Sequence, residues 1–372
     1  MRKEFSVYLD LVRFLAAVLV VIWHSNNRGI IAELLPMSQY GHSAVIVFFV
    51  LSGYVIAFVT ATKEHTPRDY AISRLARIYS VAPAALLLAL VLDHIGFLVS
   101  PGIYSGVTTH DFIALRLTSS LLFLNEVWGV SIMAFSNVPY WSLNYEVWYY
   151  VLFGVVTFTA GRRRLLLCAG ICLLLGPKIL LLAPVWWLGV YLYRSPAAYV
   201  GERAGWVLFL LSLPLIYGFH HYDLAALLTH WLRQVIGETL WTQLVFSKYF
   251  LSDYLLGPLV AMNFVGFRGI AHRFALVFAV AGDAIRFLAG FTFSLYLFHQ
   301  PLILFFAALI DGNPQRLWFY SEVMLLVVIS VFLLGSVTER RKRFYHRQAS
   351  RAVDLAVRAR RLLSPVSVVD KG

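Results

Sequence analysis

Residues 1–25 read MRKEFSVYLDLVRFLAAVLVVIWHS. From Val7 to Ser25 the run is long and apolar enough for a spanning helix, yet Asp10, Arg13 and His24 interrupt it. A secretory leader has a similar outline. Here the charges break the apolar core and no small-residue cleavage site follows, so a retained first helix is expected. A charge at the bilayer centre costs about 2.5–3.5 kcal/mol even on the lenient scale. Arg13 and His24 are 11 positions apart, which at about 100° per residue is three turns plus about 20°. Both lie on one face, about 16 Å apart in rise, and Asp10 joins them. Such a stripe faces a cavity or other helices rather than lipid. The plainer alternative is an Asp10–Arg13 ion pair with an unrelated interfacial His24.

The whole chain agrees with that reading. Its 372 residues are 60% hydrophobic, 13% charged and 16% aromatic, against about 45–50% apolar and about 25% charged in a soluble domain. The mean hydropathy is +0.74. This composition excludes a soluble enzyme, a nucleic-acid-binding domain and a disordered chain. The expected fold is all-α, a polytopic transmembrane bundle of about ten helices. The apolar runs fall at 7–25, 43–61, 78–97, 140–160, 165–178, 179–193, 205–220, 249–267, 287–310 and 318–338. The pair at 165–178 and 179–193 reads equally as one span kinked at Gly176-Pro177. The segment 112–125 is short and carries Arg116, so it is expected to be re-entrant or interfacial.

Charge placement gives the orientation. With ten spans and a cytoplasmic N-terminus, 24 of the 31 Lys and Arg fall on the cytoplasmic side. Six fall outside (Arg28, Arg116, Lys178, Arg233, Lys248 and Arg316) and Arg13 lies within the membrane. That split follows the positive-inside rule, with both termini cytoplasmic. The net charge of +12 then needs no nucleic-acid partner. Residues 1–338 form the membrane domain and 339–372 a basic cytoplasmic tail, either an amphipathic helix on the anionic leaflet or a solvated segment. An outer loop is expected at about 220–248, with Trp231 and Trp241 at the interface. Cys168 and Cys172 are expected to be buried helix residues without a disulfide. No internal repeat, zinc motif or phosphate loop is evident.

Other polar residues stand near span ends. Arg74 and Arg77, three apart on a helix face, can hold phosphates through forked hydrogen bonds or simply anchor a cytoplasmic helix end. Glu146 lies among Ser142, Tyr149 and Tyr150, where an acid can orient a sugar or a histidine, or be satisfied within the bundle. Tyr296 and His299 share a face, and Pro301 opens the backbone after them. Asp283 and Arg286 read as a plain ion pair. Asp93, His94, Asp253 and His42 read as structural.

Taken in order, these pieces resemble the acyltransferase-3 family of integral membrane acyltransferases. LDLVRFLAAVLVVIWHS resembles its opening motif through Arg13 and His24; FFVLSGYVIA resembles the second-helix motif through Ser52 and Gly53. SRLARIY brings Arg74 and Arg77, WSLNYEVWYY brings Ser142 and Glu146, and FSLYLFHQP brings Tyr296, His299 and Pro301. The resemblance covers most of the chain. It departs from the commoner pattern after Ile78, where Ser80 comes first and a proline only at Pro83. The tail after Arg340 is too short for the esterase-like domain that some relatives carry, so the stand-alone form is expected.

The resemblance implies an acyl-CoA-dependent O-acyltransferase in a bacterial cytoplasmic (inner) membrane. It moves an acyl group, usually acetyl, to a hydroxyl of an extracytoplasmic or lipid-linked glycan. Acyl-CoA is a co-substrate; no bound cofactor or metal is expected. The partners are acyl-CoA, a carbohydrate or glycolipid acceptor and the bilayer. Arg13, Arg74 and Arg77 are expected to bind acyl-CoA. His24 is expected to act as general base or as acyl carrier, with Glu146, Tyr296 and His299 as further catalytic residues. Asp10, Ser52 and Ser142 support them. The competing class is a proton-coupled transporter or flippase, but the two similar halves usual in such folds are not evident.

Overall fold

Apolar stretches punctuated by proline, glycine and threonine dictate where helices begin and end. In the computed structural model, residues 1–27, 37–106, 110–314 and 316–363 are described. Arg28 and residues 364–372 of the tail lie outside them. The helices are α1 (Lys3–Asn27), α2 (Gly41–Thr62), α3 (Pro67–Tyr79), α4 (Ala82–Val99), α5 (Pro101–Tyr104), α6 (Ile113–Leu121), α7 (Tyr140–Phe158) and α8 (Gly161–Leu175). They continue as α9 (Pro177–Arg194), α10 (Glu202–His221), α11 (Leu224–Gln243), α12 (Phe250–Ile270), α13 (Ala275–Ala289), α14 (Thr292–Leu309), α15 (Leu317–Val337) and α16 (Lys342–Leu363). No strand occurs among the described residues. At the start of α3 the Thr66 side chain accepts a hydrogen bond from Asp69 N, and Pro67 occupies the first turn, where its missing N–H costs nothing.

Among the described residues, seven stretches are long and apolar enough to cross a membrane: Lys3–Asn26, Gly41–Thr62, Pro67–Val99, Glu202–His221, Val245–Ala289, Thr292–Leu309 and Leu317–Val337. The expected count was about ten. The three segments expected at 140–160, 165–178 and 179–193 are the helices α7, α8 and α9, and none is among the seven. α7 carries Ser142, Asn144, Glu146 and four tyrosines, which lower its hydropathy, and α8 is only 15 residues long. The expected outer loop at 220–248 is largely helical, as α11, with a break at Gly237. Cys168 and Cys172 are half-buried free thiols. Arg286 and Asp283 are 3.8 Å apart, one turn apart on α13.

Helix α2 is central, packing on α1, α9 and α12. Its approach to α9 requires two glycines. A Cβ on Gly53 would lie 2.0 Å from the Trp186 carbonyl oxygen, and one on Gly189 would lie 2.0 Å from that of Val50. The close approach brings the Trp186 indole onto Ser52, to which it donates a hydrogen bond of 3.2 Å.

Helix α6 spans only nine residues, about 14 Å of rise, too short to cross a bilayer. The chain then runs irregularly from 122 to 139, with Phe123, Trp128 and Phe135 at positive φ. Four side chains pin this partly buried stretch. Ser136 donates to Asp93 from N (2.8 Å) and Oγ (2.6 Å). Asn137 donates to the Leu297 carbonyl at 2.8 Å, and Asn144 donates to Asn125 at 2.7 Å. Lys178 donates to Glu126 at 2.7 Å with both side chains 1% exposed. Lys178 was expected in an outer loop; it is instead a buried charge whose partner lies 52 residues earlier.

Breaking one side of a buried ion pair typically costs about 3–5 kcal/mol, whereas replacing both sides by apolar groups is often neutral. Lys178→Met is therefore expected to lower the unfolding temperature sharply in detergent. Glu126→Leu combined with Lys178→Met recovers most of the loss. A double variant no more stable than the single one refutes this account of the pair.

Candidate functional site

Two open spaces, reached from opposite ends of α1, bracket the polar stripe. The first is narrow, about 80 Å³, and gathers seven of the sequence-predicted residues: Arg13, Ser52, Arg74, Arg77, Ser142, Glu146 and Tyr296. It opens toward the end of the bundle that carries α16, through a mouth lined by Asp10, Arg13, Arg74, Arg77, Glu339 and Lys342. Arg77 remains exposed although protein surrounds it, because its side chain projects into this open space.

Glu146 is the acceptor at the centre of the first space. Ser52 Oγ donates to it at 2.5 Å, and Tyr150 donates to the same oxygen. Arg77 lines the same space as Tyr150, Glu146 and Glu339. Arg74 pairs with Glu64 at 2.6 Å and sits over the rings of Tyr70 and Tyr150 at 5.4 and 5.6 Å. Arg13 pairs with Asp10 at 2.6 Å. Glu339 accepts from N and Oγ of Ser294, both at 2.9 Å, at the start of α14. Burial raises the proton affinity of the Glu339 carboxyl; the Ser294 bonds and then Arg77 and Arg13 oppose that rise.

Deeper in, Tyr296 OH and Ser142 Oγ are hydrogen-bonded at 2.6 Å. The histidines stand beyond this point, outside the lining of the first space. The Tyr296 ring centroid is 6.3 Å from that of His299, which is 5.0 Å from that of His24, which is 4.4 Å from that of Trp23. His299 is fully buried and His24 is 5% exposed. His24 Nδ1 is 2.9 Å from the Val20 carbonyl and His299 Nδ1 is 2.9 Å from that of Leu295. A carbonyl only accepts, so each neutral ring carries its proton on Nδ1. His299 Nε2, 3.2 Å from His24 Nδ1, is then an acceptor for the His24 N–H. In His24 the lone pair is left on Nε2. The backbone thus sets the tautomer that Glu146 had been one candidate to hold; the bonds of Glu146 go to Ser52 and Tyr150.

Trp23 lines the second space, a chamber at the other end of α1, together with Trp141, Trp241, His42 and Asp253. His42 Nε2 is 2.9 Å from Asp253 Oδ1. Among the described residues, Asp253 Oδ2, Trp241 Nε1, His220 Nε2 and Thr229 Oγ1 are buried without a hydrogen-bond partner. All four residues line this chamber. His42 and Asp253, read from sequence as structural, therefore also belong to a large polar and aromatic wall. Glu64 and Glu339 escaped sequence reading, as did Trp23, Trp141, His220 and Thr229 of the chamber wall. For Glu339 a signal existed, an acid immediately before the basic run RRKR.

A family model described as an acyltransferase domain, of the acyltransferase-3 type, matches residues 6–337. The match covers most of the 372 residues, and the chain belongs to the acyltransferase-3 family. It is accordingly an acyltransferase of a membrane family, built from apolar helices. No curated protein and no solved structure matches it.

The histidine pair generates a direct expectation. His299→Ala removes the acceptor of the His24 Nδ1–H and is expected to lower acyl transfer at least about tenfold, less than the about 10²–10⁴-fold that a general acid–base group itself contributes. His299→Gln, whose amide oxygen still accepts, is expected to lose less. Initial rates in membranes carrying equal amounts of each protein check this; equal losses in both variants refute the positioning role.

Proposed function

We propose that this protein is an O-acyltransferase that carries an acyl group, acetyl in the simplest case, from cytoplasmic acyl-CoA to a hydroxyl of an extracytoplasmic or lipid-linked glycan. The observation that carries the reading is the continuous run of polar side chains from the arginine-lined mouth, past Glu146 and Tyr296, to the His299–His24 pair and on to Trp23. Donor and acceptor approach from opposite faces of the membrane, and a catalytic group between two open spaces meets that requirement. The bias of Lys and Arg supports placing both termini in the cytoplasm, and a bacterial inner membrane follows from the acceptor class.

In this reading Arg74 and Arg77 hold donor phosphates by forked hydrogen bonds, and Arg13 guides the pantetheine arm inward. The thioester carbonyl arrives near Tyr296, whose hydroxyl stabilises the developing oxyanion. Glu146 keeps Ser52 and Tyr150 in place along the path. The acceptor hydroxyl enters from the chamber of Trp23, whose aromatic walls and unsatisfied polar atoms suit a polyhydroxylated ring. His24 Nε2 takes the hydroxyl proton as the oxygen attacks the carbonyl carbon. A C–O bond forms, the C–S bond breaks, and the proton passes to the departing thiolate to give free CoA. Imidazole suits both transfers because it can accept and return a proton at ring nitrogen.

Membranes holding this protein are expected to label a glycan from radiolabelled acetyl-CoA. His24→Ala is expected to abolish labelling while insertion is kept, a loss of about 10²–10⁴-fold. Retained transfer in that variant removes the central claim. Incubation with acetyl-CoA alone tests the route: no label on the protein is expected, and label lost on His24→Ala establishes an acyl-imidazole instead.

A further inference from the structure

The tail helix α16 lies against α3, the helix that carries Arg74 and Arg77. Arg68 donates to both carboxylate oxygens of Asp354, at 2.9 and 3.1 Å, and to Ser350 at 3.0 Å. An exposed pair like this contributes little by itself, but it fixes the register in which the first turns of α16 meet the mouth. Lys342 and His346, four residues apart and so on one helix face, both line that mouth.

The charges there are unevenly matched. Asp10 is taken by Arg13 and Glu64 by Arg74. Glu339 accepts two bonds from Ser294. Among the described residues, neither Arg77 nor Lys342 has a carboxylate within salt-bridge distance. Partial burial lowers the proton affinity of Lys342, and Arg77, Arg13 and Arg340 lower it further against the opposing pull of Glu339. Cations held this close are relieved by an incoming anion. Their order along the cavity is also informative. Arg74 and Arg77 line both the inner space and the mouth, whereas Lys342 and His346 line the mouth alone. In acyl-CoA the diphosphate adjoins the pantetheine arm, and the 3′-phosphate of the ribose lies farther from the thioester.

We propose that α16 completes the donor site, with Lys342 and His346 binding the 3′-phosphate of acyl-CoA outside the diphosphate held by Arg74 and Arg77. This rests on the acyl-CoA reading above. Binding of acetyl-CoA and of its 3′-dephospho analogue to the full chain in lipid nanodiscs tests it. Wild-type protein is expected to prefer acetyl-CoA by about tenfold or more, the worth of a charge-assisted hydrogen bond. Lys342→Ala with His346→Ala is expected to reduce that preference to about twofold or less, leaving the Kd of the dephospho analogue unchanged as an internal control of folding. Lys342→Arg is expected to keep the preference. Equal wild-type affinity for the two donors, or an undiminished preference in the double variant, overturns the assignment while leaving the acyl-CoA reading intact. Weakening of both donors alike in the double variant also overturns it. Binding of neither donor to wild type overturns the acyl-CoA reading itself, and this assignment with it.

Discussion

Each charge carried into an apolar interior must find an opposite charge or a dense set of hydrogen bonds there, because the alternative is a desolvation cost of several kcal/mol. The rest of the architecture depends on that constraint. Arg13 answers Asp10 within one helix, Arg74 answers Glu64 across the α2–α3 turn, and Lys178 answers Glu126 across half the bundle. Where helices must separate to accommodate such groups, they leave the two open spaces on either side of the His24–His299 contact. Where they need not, they close as far as backbone allows, as α2 and α9 do at Gly53 and Gly189. Tight apolar packing and an open polar path are thus two outcomes of one rule.

The contact between α2 and α9 also shapes the site. Because the backbones touch, the Trp186 indole reaches Ser52, and Ser52 in turn is aimed at Glu146. A glycine in the middle of a helix normally weakens it by roughly 0.5–1 kcal/mol relative to alanine. Here that loss is offset by an approach that no larger residue permits.

Much of this was legible in the chain itself. The stripe of Asp10, Arg13 and His24 is a matter of helical period, and period survives in one dimension. The polar residues of α3, α7 and α14 stood out because they interrupt apolar runs, and the structure gathers Arg74, Arg77, Ser142, Glu146 and Tyr296 around one space. Pairings between distant segments were not legible. Nothing local to Lys178 points to Glu126, and a lysine following Gly176-Pro177 reads equally well as a loop charge. The His42–Asp253 contact joins residues 211 positions apart. The docking of α16 depends on Arg68 meeting Asp354, 286 positions away. The segment expected as a span at 140–160 is α7, whose four tyrosine hydroxyls find partners within the bundle, a matter of tertiary contact that composition does not show.

The Glu126–Lys178 pair also has a temporal side. The chain is made in order, and the carboxylate is synthesised 52 residues before its partner. At about 5–20 residues per second, that interval lasts roughly 3–10 s. During it, the irregular stretch around Glu126 has no cation with which to enter a dry interior. It must wait in water or in the polar surroundings of the insertion machinery until α9 emerges. The order of synthesis therefore makes α9 the element that admits the 122–139 segment, and the final packing of the earlier helices is a late event in biogenesis.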